Sequence, residues 1–144
     1  MLVSAALPYL SIRYSQMASR VHDIRTVEAQ TETAASLDPT ATLPFAVRAN
    51  AHKAAAEREA GDTPVRVEEY RLAAAAWIEA VEREPQGWLY YYKAAEMFVL
   101  ARDAALTANP AFAEELEGWA RTYLDEVHRL NPLSPQAATL EKAL

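Results

Sequence analysis

The sequence predicts an all-α protein, and three observations carry that prediction. Half of the 144 residues are hydrophobic (51%), with alanine dominant among them and only three glycines. Alanine costs least in a helix and lets two helices approach closely. Strand-favouring runs of Val, Ile and Thr are absent. A proline also recurs at a helix-pair interval, in Leu37-Asp38-Pro39, Glu84-Pro85 and Leu130-Asn131-Pro132, at separations of 46 and 47 residues. Each closes a segment of helical periodicity, and a fixed period in this range marks a stacked helical repeat.

About seven helices can be placed. The first is expected from about Pro8 to Ser19. Its approach, Met1 to Leu10, is apolar but shorter than the ~20 residues that span a bilayer. It also lacks the basic start and cleavage pattern of a signal peptide. Two readings stay open: an ordinary first helix that buries Leu7, Leu10, Tyr14 and Met17 on one stripe, or the stump of a membrane-spanning helix. The second helix, His22 to Leu37, points Ile24, Val27, Thr31, Ala34 and Ala35 inward. Pro39 ends it, because proline disfavours the α conformation in the residue before it.

A third helix starts after Thr42, with Pro44 in its first turn, and stops at Gly61, which tolerates a left-handed backbone. Thr63 is the expected N-cap of the fourth and Pro64 its first residue. Tyr70, Ala73, Ala74, Trp77 and Val81 line one face of it. The fifth runs from about Gln86 to Ala104. Asn109-Pro110 caps the sixth, whose stripe is Phe112, Leu116, Trp119, Ala120, Tyr123, Leu124 and Val127. Glu114, Glu115 and Glu117 read as its acidic first turn, complementing the helix dipole. Ser134-Pro135 caps a short seventh helix ending at Leu144, whose polar outer positions suit a terminal cap. With no low-complexity tract or long linker, residues 1–144 read as a single domain. Residues 1–20 form the candidate membrane-proximal helix, and residues 22–144 the repeat helices.

The net charge of −6 argues against nucleic acid as a partner, which needs a basic face to neutralise phosphates. The charge is uneven. Residues 1–25 carry Arg13, Arg20 and Arg25 against Asp23, a balance of +2, and the remaining 11 basic and 19 acidic residues leave −8. The absence of cysteine excludes disulfides and thiolate metal sites. The three histidines are far apart in sequence; His52 takes an aromatic packing position and His128 lies near a helix end. Neither has a metal-ligand spacing with Asp or Glu, so no metal is expected. No glycine-rich phosphate loop or nucleophile elbow is present, so no catalytic residue and no cofactor is assigned.

The copies align residue by residue. Ala73, Trp77 and Ala80 before Pro85 match Ala120, Leu124 and Val127 before Pro132, with a degenerate copy in Val27, Thr31 and Ala34 before Pro39. In the partner helices, Phe45, Ala49 and His52 recur as Tyr91, Ala95 and Phe98. These residues resemble the tetratricopeptide repeat, over roughly Val27 to the C-terminus. The resemblance implies a stack of antiparallel helix pairs in a right-handed superhelix. The period departs from the family's 34 residues, and the surplus is expected within each pair, around 61–69 and 103–114. It would lie in longer helices or in elaborated turns.

A narrower resemblance rests on the order of several short motifs. These are Leu7-Pro8-Tyr9-Leu10-Ser11 leading into Arg13-Tyr14, then Ala34 to Pro39, Glu59 to Asp62, and Arg129 to Pro135. This order is similar to the C-terminal repeat tail of bacterial O-antigen ligase or polymerase-like membrane proteins. In that family the tail follows directly on the last membrane helix.

The tetratricopeptide resemblance implies a concave face lined by the first helix of each pair. Carried onto this chain, it falls on Ala46, Asn50 and Lys53, then Tyr92, Glu96 and Val99. Trp88 joins them as part of the densest aromatic run, Trp88-Leu89-Tyr90-Tyr91-Tyr92, whose members point about 100° apart and cannot all be buried. Tyr91 is the member expected to pack. Asn50, Lys53, Trp88, Tyr92 and Glu96 are therefore the candidate partner-binding residues, against the alternative of a plain solvated helix face and aromatics used for packing.

The function implied is a non-enzymatic protein–protein interaction or scaffolding module. It would be the soluble C-terminal part of a membrane protein that handles lipid-linked glycans. Its partner would be another protein or peptide segment, or a second copy of itself, with membrane tethering through an upstream segment. The positive N-terminal balance leans toward the cytoplasmic face over the extracytoplasmic one. The alternatives are a free-standing soluble adaptor, cytoplasmic in that case, or a small helical ligand-binding protein or enzyme using an aromatic pocket around Trp88 and Tyr92.

Overall fold

A computed structural model describes residues 3–18, 20, 23–59, 61 and 63–144, with side chains from Leu7 onward. Among these residues the chain is all-helical: α1 (Val3–Ala18), α2 (Ile24–Leu37), α3 (Leu43–Arg58), α4 (Thr63–Arg83), α5 (Trp88–Ala105), α6 (Pro110–Leu130) and α7 (Pro135–Glu141). The most extensive contacts are between consecutive helices, α3 with α4, α4 with α5 and α5 with α6.

Local chemistry sets most of the boundaries. The Asp23 carboxylate accepts from the Thr26 backbone N–H at the start of α2. Asn109 does the same for Phe112 at α6, and Ser134 for Ala137 at α7, each with proline as the first helical residue. These side chains satisfy backbone donors that have no partner within the helix. The repeat register also holds as burial. Val27, Thr31 and Ala34, Ala73, Trp77 and Ala80, and Ala120, Leu124 and Val127 are all buried. In the partner helices Phe45, Ala49, His52, Ala95 and Phe98 are buried, and Tyr91 is half-buried.

Several boundaries differ from expectation. Helix α1 begins well before Pro8, which lies inside it; proline removes one hydrogen bond to the preceding turn and the helix continues. Helix α3 ends at Arg58, and Gly61 has no left-handed backbone. Helix α4 includes Thr63 as its first residue, so Thr63 is not its N-cap. Gly87, not a residue before it, precedes α5, and α7 stops at Glu141. Glu114, Glu115 and Glu117 fall in the second turn of α6, because that helix begins at Pro110. His22 lies outside the described residues.

The surplus over a 34-residue period sits in the helices. α4 and α6 are each 21 residues long, while the turns before them are only four residues, 59–62 and 106–109. Longer helices bury more of the alanine face, and Ala49, Ala56, Ala73, Ala74, Ala80, Ala94, Ala101 and Ala120 of the core are all essentially inaccessible. A smaller cluster of Ala95, Leu124, Val127 and Ala137 attaches α7 to the end of the stack.

Two expected core stripes are overturned. Among the described side chains of α1 the buried ones are Ser11, Ser15 and Ala18, while Leu7, Leu10 and Met17 are exposed and Tyr14 is half-buried. Small side chains let α1 approach α2 closely, so the interface selects them over the bulky stripe. In α6 the Trp119 ring, placed inward by periodicity, is 49% exposed. It lies at the edge of a broad apolar face and stacks on Phe98, with ring centroids 6.3 Å apart.

Candidate interaction surface

The candidate residues divide between α3 and α5. Asn50 is exposed on α3, and Lys53, half-buried, sits 3.8 Å from Glu57 one turn along the same helix. On α5, Trp88 and Tyr92 pack against the small cluster that holds α7. Glu96 receives a hydrogen bond from Lys93 Nζ at 3.1 Å, and that ammonium also lies 5.6 Å from the centre of the Tyr92 ring. Burial, and then the nearby Glu96 charge, raise the Tyr92 phenol above its ordinary pKa.

Tyr92 lines a cleft of about 470 Å³ with Pro135, Gln136, Thr139, Leu140 and Ala143 of the α7 region. Asn50, Lys53, Trp88 and Glu96 do not line it. The structure therefore places the five residues on two helices, without gathering them in one cavity. Tyr91 packs as expected, its ring 6.3 Å from that of Tyr123 and its hydroxyl donating to the Pro85 carbonyl at 3.2 Å.

Sequence reasoning missed the side chains that tie one helix to the next. Arg48 on α3 donates from Nε to Thr31 Oγ1 on α2 at 3.1 Å and lies 3.5 Å from Glu79 on α4. His52 Nδ1 is 2.8 Å from Glu69 on α4, and its Nε2 is 3.4 Å from Glu28 on α2. Tyr90 stacks on Trp77, with centroids 6.1 Å apart, and shares a 3.1 Å hydrogen bond with Thr42. These partners are 13 to 48 residues apart, so no local pattern announces them.

Two further clefts lie between alternate helices. One, of about 450 Å³, has Phe45 at its base, with Arg48, Arg83, Glu28, Glu32 and Glu79 around it. The Arg83 guanidinium lies 3.9 Å from the centre of the Phe45 ring. The other, of about 290 Å³, is lined by Ile78, Phe98, Phe112, Trp119 and Tyr123, with Arg71 and Glu115 at its edge. Only the aromatic spacing on α6 could have pointed to it. Among the described residues no group of three or more His, Asp or Glu side chains is arranged to hold a metal ion. No described helix is long and apolar enough to cross a membrane.

Comparison with family models, with curated proteins and with solved structures returns no match.

Proposed function

We propose that this domain is a non-enzymatic interaction module of tetratricopeptide-like build, serving a bacterial membrane protein of the O-antigen ligase kind that handles lipid-linked glycans. Its mechanism is positional: a stiff helical surface holds a protein or peptide partner. The observation that carries this reading is the use made of its charged and aromatic side chains. Arg48, His52 and Tyr90 each bridge neighbouring helices instead of converging on one reaction centre. The clefts between helices are open to solvent, which suits an extended partner better than an enclosed small molecule. Asn50 and Lys53, and then Tyr92 and Glu96, supply hydrogen bonds, charge and one aromatic face to that partner.

The test is partner capture by the whole chain, compared with a Lys53→Ala, Tyr92→Ala double variant. Circular dichroism must first establish that the variant keeps its helices, because Tyr92 also packs against the cluster that holds α7. The expected outcome is a partner retained by the parent chain and lost by the variant. Equal recovery from both would remove the partner-binding role from Lys53 and Tyr92.

A further inference from the structure

We propose that the outward side of α1 docks on an anionic lipid surface. The proposal rests on the membrane-adjacent reading above and deepens it, but it uses a different face from the candidate residues on α3 and α5. Among its described side chains, α1 buries Ser11, Ser15 and Ala18 and half-buries Tyr14, leaving Tyr9 60%, Leu10 39%, Ile12 46% and Met17 50% exposed. Bulky apolar groups thus share the exposed side of the helix with Arg13 and Gln16, while its two serines are buried. A helix built to face water on its outer side would keep such apolar groups inward.

Charge selects the occupant. Residues 1–22 contain Arg13 and Arg20 and no acidic residue, while the other 122 residues hold 12 basic and 20 acidic side chains, a balance of −8. Both arginines are exposed, and neither is paired with a carboxylate among the described residues. Elsewhere Arg48, Arg71, Arg83, Arg102, Arg121 and Arg129 each have one within 4 Å, while Arg25, Arg58 and Arg66 have none among the described residues, so it is the lack of any acidic residue in 1–22 that sets α1 apart. The Arg13 guanidinium lies 6.0 Å from the centre of the Tyr9 ring. A lipid interface satisfies all of these groups together: Leu10, Ile12 and Met17 enter the acyl boundary, and Tyr9 sits at headgroup level. The arginine stems lie along the apolar surface while their guanidinium groups reach the phosphates. The acidic remainder of the molecule would be held off the same surface, which fixes the orientation.

The test is co-sedimentation of the full chain with vesicles of phosphatidylcholine alone, and with vesicles of phosphatidylcholine and phosphatidylglycerol in equal parts. Binding is expected on the anionic vesicles only, and it should fall as salt is raised. Arg13→Gln with Arg20→Gln should weaken it by about tenfold or more. Leu10→Ser with Met17→Ser should also abolish it, with the circular dichroism spectrum unchanged because both side chains are already exposed. Absence of binding to anionic vesicles at low salt, or equal binding to both compositions, overturns the proposal. So does self-association in sedimentation equilibrium that the Leu10 and Met17 substitutions remove, which would assign this face to a second copy. Partner capture by the parent chain, run beside its vesicle assay, separates the two readings. Retained capture with no vesicle binding leaves the module reading standing and the lipid face refuted.

Discussion

His52 shows how much one side chain contributes to joining three helices. It is buried on α3 and touches a carboxylate from each neighbour, Glu28 and Glu69. Replacing it with leucine keeps the volume but leaves the largely buried Glu69 without its partner. We expect His52→Leu to lower unfolding stability by about 1–3 kcal/mol in urea titration, mostly through Glu69, since Glu28 is well hydrated. Two glycines give opposite outcomes. A Cβ on Gly87 would come within 2.7 Å of the Tyr90 ring, which is held by Trp77 and Thr42. Gly87→Ala should therefore cost about 1–3 kcal/mol. Gly118 lies within α6 with open space where its Cβ would stand, so Gly118→Ala should gain about 0.4–1 kcal/mol. Thermal melts of the two variants should move in opposite directions. The aromatic role of His52 was legible from its repeat position, but its two carboxylate partners were not. Glu28 and Glu69 lie 24 and 17 residues away, on other helices.

At the level of the helix, capping was the most legible feature. Asn109-Pro110 and Ser134-Pro135 act through atoms three residues away, and sequence records that distance directly. Asn109→Ala should destabilise the domain by about 1 kcal/mol in chemical denaturation, with Asn109→Asp retaining most of the parent stability. The α2 cap adds a pH dependence. Hydrogen bonds from the Thr26 hydroxyl and then its backbone N–H hold the Asp23 carboxyl below its ordinary pKa. Its contribution is therefore complete above the unfolded carboxylate range and is lost as pH falls through the depressed native value. Amide chemical shifts at Thr26 should report fraying of the first turn of α2 in that acid range. Asp23→Asn should remove the step. The orientation of α1 was not legible, because both its leucine stripe and its serine stripe have helical spacing. Only the closeness of the neighbouring helix decides between them. Trp119 went astray for a related reason: the apolar face of α6 is broader than the surface available to cover it.

For the whole molecule, the all-α class and the repeat register were readable because alanine content and proline spacing are global features of the sequence. The assembly of a binding surface was not, since it depends on where α7 settles over Tyr92 and on ties such as Arg102 Nη2 donating to the Ala143 carbonyl at 2.7 Å. That tie predicts a local opening. Arg102→Ala should increase amide hydrogen exchange in α7 while leaving α3 and α4 unchanged, and equal protection throughout would contradict it. The preference for contacts between consecutive helices has one more consequence, and it concerns time. Helices α4, α5 and α6 meet one another across connections of four residues, so little chain entropy is lost before those contacts form. Such a topology belongs with chains that fold in microseconds to milliseconds. The α4–α5–α6 centre, where consecutive helices meet most extensively, is the part of the fold that this fast regime favours most.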